Sequence, residues 1–474
     1  MTPRIAIVGA GIAGLKAALT LQDAGVACDI YEAADRVGGR IHSDTTTWAD
    51  GLVSEWCGEF IDADHTAMRE LIARFGLGTR ELDRGAVGRS QPLFYFDGRA
   101  HRADEFAEDF AALAPVLHEQ YQAAGYPTTH AQFTQDGYQL DHVSAYDWIK
   151  RHVPGGHTRL LGRYLDSACR GINGLETTEQ SALNLVYQFG FGAWDEADEV
   201  GTAGPLHATT EIVDGNARLP QAIASSLPNG SIHLRHRLVA LERAGKRVNL
   251  TFATANGSEQ VECDEVILTL PFSALRQVDY QRAGFDALKQ TAIEQLGYGT
   301  ISKLILEFDE RYWYDHGPWP GMHSGFLVTD LDMQTVWDAS IGQEGSHGLL
   351  LNYTSGRRGA AYTPPAPYTT SEDFPGIQSY AQDCLKQLEF VFPGISAHYT
   401  DRAALSYATG DPNLLGSYSC WRVGQYTQFA GYEGARQGPT HFAGEHCSIE
   451  FQGYMEGAAR EGARAAREII EDRR

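Results

Sequence analysis

The chain opens on a short apolar run that passes into a helical pattern. Residues 4–8 (RIAIV) are mostly apolar, glycines follow, and apolar residues then recur at helical spacing from 13 to 24. Residues 26–32 (VACDIYE) have the composition of a second strand. The order strand, turn, helix, strand predicts that the chain begins with the first unit of an α/β fold.

The patterns further along the chain alternate between helix and sheet. Apolar positions recur at helical spacing within 100–195, and 453–473 predicts a helix with small residues along one side. Residues 356–376 are rich in Gly, Pro, Tyr and Thr and are expected to form a loop. Strand patterns are found at 231–272, 301–308, 348–355 and 439–446.

Composition sets the class of protein and argues against some partners. The chain has 474 residues, 43% of them hydrophobic and 21% charged, which is typical of a folded globular protein of two or three domains. Its formal net charge of -23 argues against a nucleic-acid partner and against an anionic membrane.

The cysteines and the N-terminus bear on the compartment. The seven cysteines are odd in number and scattered, so neither a disulfide framework nor a metal site is expected. The N-terminus enters a strand without a charged leader, and no run reaches the ~20 apolar residues of a membrane span. We therefore expect a soluble, cytoplasmic protein.

The first strand leads into the glycine motif Gly9-Ala10-Gly11-Ile12-Ala13-Gly14. Gly9 permits a tight turn, Gly11 lets the backbone approach a pyrophosphate, and Gly14 lets the helix pack against the strand. Glu32 ends the second strand eighteen residues after Gly14, where a carboxylate accepts hydrogen bonds from ribose hydroxyls. The pattern predicts a dinucleotide site but does not decide between NAD and FAD.

Three further segments bear on which dinucleotide is bound. Asp35–Arg40 (DRVGGR) offers paired glycines and an arginine fork for phosphate oxygens. Near the C-terminus, Phe442–His446 (FAGEH) precedes Gly453–Ala458 (GYMEGA). These segments resemble the signature of the monoamine oxidase family of flavoenzymes, which also contains polyamine oxidases and L-amino acid oxidases. The resemblance implies that the cofactor is FAD.

The resemblance continues through the chain in family order. Glu55–Ile61 (EWCGEFI) is similar to the loop that lines the inner face of the flavin. Val213–Asn216 with Leu219 resembles the return into the FAD domain, and Val266–Pro271 resembles the strand that closes it. The resemblance implies FAD contacts from Gly9, Gly11, Ala13, Gly14, Glu32, Gly39, Arg40, Gly58, Glu59, Val239, Gly444, Glu445, Gly453, Tyr454 and Met455.

The fold implied by the resemblance is α/β and has two parts. One is a discontinuous, Rossmann-like FAD-binding domain, and the other is a mixed-sheet substrate domain with a helical lobe at about 100–200. The FAD domain is expected at 1–80, 210–285 and 400–474, and the substrate domain at 81–209 and 286–399.

Lys303 is the predicted catalytic residue. Apolar residues on both faces of 301–306 predict a strand buried on both sides, where a lysine is costly unless it is paired. By resemblance, Lys303 matches the family lysine that holds a water against flavin N5. Trp421 and Tyr454 are predicted to form a two-walled aromatic slot that directs the amine towards N5.

Cys420 bears on how FAD is held. It falls where some monoamine oxidases carry a covalent flavin thioether. Tyr418 and Ser419 replace the paired glycines that precede this cysteine in the family. Non-covalent FAD is therefore expected, with Cys420 as a small buried thiol.

The substrate is either an amino acid or an amine. An L-amino acid needs a cation for its carboxylate, ideally a bidentate arginine, but Ile61 stands where the snake-venom type of oxidase has one. Arg422 and Arg170 are candidate substitutes, with structural roles as the alternative. The acidic stretch 195–199 (DEADE) fits either a polyamine channel or a solvated face. We expect a hydrophobic or aromatic L-amino acid, with an arylalkylamine or polyamine as the alternative.

For either substrate the resemblance implies the same reaction. Hydride passes from the carbon next to nitrogen to flavin N5, and oxygen then reoxidises the flavin with help from Lys303, giving hydrogen peroxide. The imine hydrolyses to ammonia and an aldehyde or 2-oxo acid. Three other readings stay open: a desaturase or protoporphyrinogen-type oxidase, an NAD dehydrogenase, and a flavin-binding interaction protein without turnover. A homodimer is one open assembly.

Overall fold

The computed structural model of the chain describes residues 4–82, 91–190 and 209–473 as a mixed α/β fold. Two large sheets carry most of the strands. In chain order the strands are β1 (Ile5–Val8), β2 (Asp29–Tyr31), β3 (Ser43–Asp44), β4 (Ser54–Glu55), β5 (Thr79–Glu81), β6 (Gln91–Phe96), β7 (Arg99–His101), β8 (Thr210–Ile212), β9 (Ile232–His233), β10 (Arg237–Ala244), β11 (Arg247–Thr254), β12 (Gly257–Cys263), β13 (Glu265–Leu268), β14 (Gly297–Tyr298), β15 (Ser302–Phe308), β16 (His323–Thr329), β17 (Thr335–Asp338), β18 (Gly348–Thr354), β19 (Tyr368–Thr370), β20 (Tyr399–Tyr407), β21 (Ser419–Cys420) and β22 (Thr440–Phe442).

Helices cover the sheets, and among the described residues five of them follow one another between β7 and Phe189. In chain order they are α1 (Ile12–Asp23), α2 (Thr66–Arg74), α3 (Ala107–Ala124), α4 (Gln135–Asp141), α5 (Ala145–His152), α6 (Leu160–Asn173), α7 (Ala182–Phe189), α8 (Arg218–Ser226), α9 (Phe272–Leu275), α10 (Ala287–Gln295), α11 (Gly356–Gly359), α12 (Ile377–Val391), α13 (Gln425–Phe429) and α14 (Met455–Glu471).

The first large sheet is parallel and lies between two layers. Its strand order is β22-β13-β1-β2-β9, and all four pairings are parallel. Side chains alternate across a strand, so Ile5 and Ile7 pack on α1 and α14. Ala6 and Val8 pack instead on the antiparallel sheet β10-β11-β12. Both faces of β1 are therefore buried, as its continuous apolar run predicts.

The second large sheet is mixed and carries Lys303 on a central strand. Its order is β19-β20-β15-β18-β17-β16-β6-β7, and among its pairings only β16 with β6 is parallel. All seven residues of β15 are buried. Leu304 and Leu306 pack towards α12, whereas Ile305 packs against Trp48 and Trp56 on the other face. The prediction of a strand buried on both sides is confirmed.

The helices from α3 to α7 share a core of their own. This core includes Phe106, Trp148 and Leu165. It continues onto the second large sheet through Phe94 and Phe96 of β6. The helical pattern predicted within 100–195 is thus present as packed helices up to Phe189.

The expectation of a loop over 356–376 is wrong in two places. Residues Gly356–Gly359 form the short helix α11, and Tyr368–Thr370 form β19. β19 is an edge strand that pairs only with β20, and Pro367 immediately precedes it, a position where a missing N–H costs no ladder bond. The partner of β19 lies about thirty-five residues further along, so local composition carried no sign of the pairing.

The predicted α/β fold class is confirmed. The division into an FAD-binding domain and a substrate domain, with the boundaries given above, stays a prediction. Over the described ranges, the structure contains no helix whose length and apolar character would let it cross a bilayer.

The close packing of α1 on α14 gives a testable prediction. A Cβ atom on Gly462 would lie 2.1 Å from the Ala13 carbonyl oxygen, so Gly462→Ala forces the two helices apart. We expect the free energy of unfolding to fall by about 1–3 kcal/mol, measured by denaturant titration.

Gly171→Ala in α6 is the matched control. The added Cβ would meet Thr335 Oγ1 at 3.6 Å, an ordinary contact, and alanine favours the helix by up to about 1 kcal/mol. A Gly462→Ala protein as stable as the Gly171→Ala protein would contradict the described helix contact.

Candidate functional site

The turn after β1 forms a cradle of backbone groups. Gly9 has φ +107, and a Cβ on Gly14 would lie 2.0 Å from the Gly9 carbonyl oxygen, so both positions require glycine. At Gly11 an added Cβ would meet no atom within 4 Å, which leaves the backbone open to a ligand. Gly11 is also the N-cap of α1 and provides no side-chain cap. The first N–H groups of the helix and its positive end can therefore bind an anion.

The second glycine pair, Gly38 and Gly39, lies close to the glycine turn that follows β1. A Cβ on Gly39 would lie 3.2 Å from the Gly11 Cα, so the loop after β2 approaches the N-terminus of α1 closely. Glu32 lies at the end of β2, where its carboxylate accepts hydrogen bonds from the N–H groups of Ala10 at 2.7 Å and Ala34 at 2.8 Å. The carboxylate that the sequence predicts for the ribose thus lies beside the glycine turn.

Arg40 and Glu445 connect the two ends of the chain. Arg40 Nη1 donates to Glu445 Oε1 at 2.9 Å and to the Ser417 carbonyl oxygen at 2.7 Å. Glu445 also accepts from the N–H and hydroxyl of Ser419 and from the Gly453 N–H. Burial opposes the charge of this carboxylate, but Arg40 and the other donors bring the pKa of Glu445 below its ordinary value.

The loop before Ile61, residues 55–60, is held in place by contacts with Arg40, Met455 and Asn216. The Gly58 N–H donates to the Arg40 carbonyl at 2.9 Å, and a Cβ on Gly58 would lie 3.1 Å from Met455 Sδ. The Asn216 amide donates to the carbonyls of Gly58 at 3.2 Å and Glu59 at 2.7 Å. The segments that the sequence singled out as a flavin-lining loop and a domain return are therefore in contact.

Val239 and Gly444 each have an irregular backbone conformation. The register of β10 with β11 shifts between Leu238 and Ala240, so Val239 is the extra residue of a bulge. Its carbonyl accepts from the Asp279 N–H at 2.9 Å. Gly444 has φ +143 where β22 turns towards Glu445, a conformation that excludes other residues.

These features fit FAD. An uncapped helix N-terminus suits the pyrophosphate, and Glu32 is placed for a ribose. Among the described residues, every hydrogen bond from Arg40 to protein uses Nη1, so Nε and Nη2 can donate to phosphate oxygens. Tyr454 is the N-cap of α14, whose positive end would face the flavin ring as the sequence predicts.

Lys303 is buried and fully hydrogen-bonded. Its Nζ donates to the carbonyl oxygens of Glu55 at 3.1 Å and Cys57 at 2.7 Å. A third bond of 2.7 Å reaches Glu59 Oε2. An ammonium group has three donors, and each has a protein acceptor here. These bonds meet the condition under which a lysine can be buried on such a strand, whereas the catalytic role of Lys303 and its holding of a water stay predictions.

Glu59 belongs to a buried cluster of charges. Its second oxygen accepts from Trp337 Nε1 at 2.8 Å. Burial and then the charge of Glu211 raise the pKa of Glu55 well above its ordinary value. Burial and then Glu59 raise the pKa of Glu211 to about 7, although Arg80 forms an ion pair with it. Glu55, Glu59 and Glu211 thus face two cations, Lys303 and Arg80.

Trp421 packs within a core and is anchored by its backbone. Its ring contacts Tyr426 and Phe429, with centroid distances of 5.1 and 5.8 Å. Its carbonyl accepts from the Ser181 N–H at 3.2 Å and the Asn184 amide at 2.8 Å. The helices thus fix the position of Trp421.

Tyr454 lies beside acidic groups. Its ring is 5.3 Å from the His65 ring, and 46% of the residue is exposed. The surrounding protein, and then the charges of Asp62 and Asp64, raise the pKa of Tyr454. Asp62, Asp64 and His65 also bring one potential ligand atom each within 4.8 Å of one another. Both Trp421 and Tyr454 are described, and no ring contact joins them, so the two-walled slot stays a prediction.

Two tyrosines near Lys303 were not among the predicted site residues. Tyr353 pairs with Lys303 across β15 and β18, and its hydroxyl is 3.1 Å from that of Tyr418. The Tyr418 hydroxyl also donates to the Ile172 carbonyl, and a Cβ on Gly453 would lie 3.3 Å from the Tyr418 ring. Burial raises the pKa of both tyrosines. The sequence drew attention to Tyr418 only as a replacement for a family glycine before Cys420, and only the register of two strands places Tyr353 here.

The candidate carboxylate partners have acidic neighbours. Arg422 Nη2 is 3.6 Å from Glu179 Oε1, and both side chains are about half exposed. Arg170 Nη2 is 3.1 Å from Asp166 Oδ2, four residues earlier in α6. Ile61 is fully buried. The structure does not bring Arg422 or Arg170 into contact with Lys303 or Tyr454.

Cys420 is buried between β14 and the helices. Its Sγ lies 3.5 Å from the Asn184 amide, and burial raises the pKa of the thiol. A thiol is a poorer nucleophile than a thiolate, which supports the expectation of non-covalent FAD. The acidic stretch 195–199 lies outside the described residues.

Two sequence relatives cover almost the whole chain. An L-amino acid dehydrogenase from Synechocystis sp. is 26% identical, over 98% of this chain and 94% of the relative. An L-amino-acid oxidase from Siganus canaliculatus is 23% identical, over 98% of this chain and 85% of the relative.

A solved structure shares the fold. Cyclohexylamine oxidase from Brevibacterium oxydans IH-35A superposes with a TM-score of 0.82 at 21% identity, covering 100% of this chain and 99% of the other. The model of the family "Flavin containing amine oxidoreductase" matches residues 12–470. The chain therefore belongs to the flavin-containing amine oxidoreductase family and is an FAD-dependent amine oxidase.

Proposed function

We propose that the chain oxidises primary amines that carry no carboxylate. The observation that supports this is the pair of carboxylates near Tyr454: Asp62 and Asp64 raise the pKa of its hydroxyl, and they lie together with His65, whose ring is 5.3 Å from that of Tyr454. Two carboxylates attract a cationic amine and repel the carboxylate of an amino acid. The two arginines considered for an amino acid substrate already lie beside Glu179 and Asp166.

Different residues are proposed to attract the amine and to orient it. Asp62 and Asp64 are proposed to raise the local concentration of the cationic amine beside Tyr454. Tyr454 and Trp421 are proposed to hold the reacting carbon between aromatic faces, which orient the amine. FAD, when bound, accepts the hydride from the carbon next to nitrogen and passes electrons to oxygen.

Lys303 is proposed to act where oxygen is reduced. It is a buried cation on a rigid central strand, fixed by three hydrogen bonds. A pre-positioned positive charge in a site shielded from water stabilises negative charge as it develops on oxygen. The Lys303 side chain needs to move little during the reaction, because the strand and the loop before Ile61 hold it on both sides.

Oxidation of hydrophobic or aromatic L-amino acids is the second candidate. The support for it is the names of the relatives, which include L-amino acid oxidases and an L-amino acid dehydrogenase. Under this candidate, Arg422 would have to exchange Glu179 for the substrate carboxylate. The weak contact of 3.6 Å makes Arg422 the easier of the two arginines to release.

The two candidates are separated by matched substrate pairs. Phenylethylamine and L-phenylalanine differ only by a carboxylate, as do tyramine and L-tyrosine. We expect each amine to bleach the FAD absorbance near about 450 nm under anaerobic conditions at least about tenfold faster than its amino acid, an advantage of about 1.4 kcal/mol.

Bleaching by the amino acids alone would contradict this proposal and support the second candidate. In that case Arg422→Ala should raise KM for the amino acids, with Arg247→Ala, an exposed arginine paired with Glu262 and Asp264, as the control. D-amino acids extend the panel, since their reaction would contradict both candidates.

Replacing Lys303 tests the second part of the proposal. Lys303→Met keeps the length of the side chain and removes its charge. We expect FAD to stay bound and the flavin reduction or reoxidation rate to fall about 10²–10³-fold, measured by stopped-flow absorbance.

Lys289→Met is the matched control for loss of a buried lysine. Lys289 is fully buried, and its Nζ donates to the carbonyls of Tyr432 and Glu433. This variant should lose stability but keep the wild-type rates. Loss of FAD from Lys303→Met would instead assign Lys303 a structural role, and unchanged rates would show that it takes no part in the reaction.

A further inference from the structure

The pairing of Lys303 with Glu59 carries an inference beyond the choice of substrate. The two residues are 244 positions apart, and Nζ and Oε2 are separated by 2.7 Å. The side chain of Lys303 is 7% exposed and that of Glu59 is 5% exposed. Such a pair is stable only with good geometry and with its remaining donors and acceptors satisfied.

Both partners meet that condition. The two other Nζ donors reach the carbonyls of Glu55 and Cys57, and the other Glu59 oxygen accepts from Trp337. Lys303 is therefore held as an ammonium ion whose three N–H groups all point at protein oxygens. A neutral amine has two N–H groups and a lone pair, and it would leave one of the three acceptors unbound.

We propose that Glu59 is the positioning residue that holds Lys303 as a fixed ammonium ion with no N–H left for water. Lys303 then acts on oxygen reduction through its charge. Conversion of oxygen to hydrogen peroxide takes two electrons and two protons; FAD, when bound and reduced, would supply the electrons and one proton, solvent would supply the other proton, and Lys303 donates neither. The inference rests on the proposed role of Lys303 and is independent of which amine is oxidised.

The other titratable groups around Lys303 come from the loop before Ile61 and from the strands β5, β8 and β18. The loop before Ile61 contributes Glu55, Cys57 and Glu59, and β8 contributes Glu211, which pairs with Arg80 of β5. On β18 the neighbour is Tyr353, while on β20 the register partner is the uncharged Ser406. Glu59 is the only one of the described carboxylates whose oxygen bonds Lys303 directly, so it is the group to replace.

Glu59→Gln removes the charge, but it also leaves one buried hydrogen-bond donor without an acceptor. The glutamine amide has one oxygen, so it can accept from Lys303 or from Trp337 but not from both. Trp337→Phe removes the second donor. The double variant E59Q/W337F therefore isolates the loss of charge, and Glu59→Asp keeps the charge on a shorter side chain.

The experiment follows the visible spectrum of the FAD-loaded proteins against pH, together with their reoxidation rates. Without its counter-ion a buried lysine loses its proton more readily as pH rises. In E59Q and E59Q/W337F we expect the visible spectrum to change with pH beyond any change seen in wild type and E59D, and we expect E59Q/K303M to lack this additional change. The reoxidation rate of E59Q should approach wild type at low pH and fall towards that of K303M as pH rises.

Two outcomes overturn the inference. If K303M slows reoxidation but E59Q and E59Q/W337F keep the wild-type pH profile and spectrum, Glu59 does not hold the charge of Lys303. If K303M itself reoxidises at the wild-type rate, the proposed role of Lys303 fails and the inference fails with it. The double variant provides the answer even where E59Q alone does not fold, because it removes the contact between the glutamine NH2 group and the Trp337 N–H, two donors that would face each other.

Discussion

The buried carboxylate of Glu445 is the interaction on which the cofactor site depends. It accepts hydrogen bonds from Arg40, which is 405 residues earlier, from Ser419 and from Gly453. Those partners lie in the glycine loop after β2, in the ribbon of β14 and β21, and just before α14. One side chain thus fixes three remote segments around the space that the glycines leave open. Its four hydrogen bonds use the full capacity of a carboxylate, so its main role is to hold the site together.

A second buried pair extends this arrangement to the other large sheet. Lys303 on β15 is fixed to the loop before Ile61, and the same loop meets Arg40 and Met455 through Gly58. The parallel sheet and the mixed sheet therefore share one loop. A change in that loop acts on the cofactor cradle and on the buried lysine together.

Local patterns in the sequence predicted much of this fold. Continuous apolar runs predicted β1 and β15, the glycine spacing predicted the turn into α1, and small residues predicted the face that α14 packs on α1. These features depend on residues a few positions apart. The pairing of Arg170 with Asp166, four residues earlier on one helix, was also within reach of the sequence.

The remaining features depend on contacts between distant segments. The Glu59 partner of Lys303 and the Tyr353 neighbour follow from sheet register and from how a loop crosses the sheet. A shift of one residue in β18 would turn Tyr353 to the other face, and nothing in the local sequence fixes that register. For the same reason the sequence did not predict β19, because its partner strand β20 lies further along the chain.

The affinity of the apoprotein for FAD tests the account most directly, measured by quenching of flavin fluorescence in wild type and Glu445→Gln. Removing one partner of a buried ion pair costs about 3–5 kcal/mol, so we predict a Kd for FAD raised at least about tenfold and a lower melting temperature. Glu461→Gln, which weakens the ion pair with Arg464 on α14, should leave the Kd unchanged. Wild-type affinity in Glu445→Gln would contradict the claim that this carboxylate holds the cofactor site together.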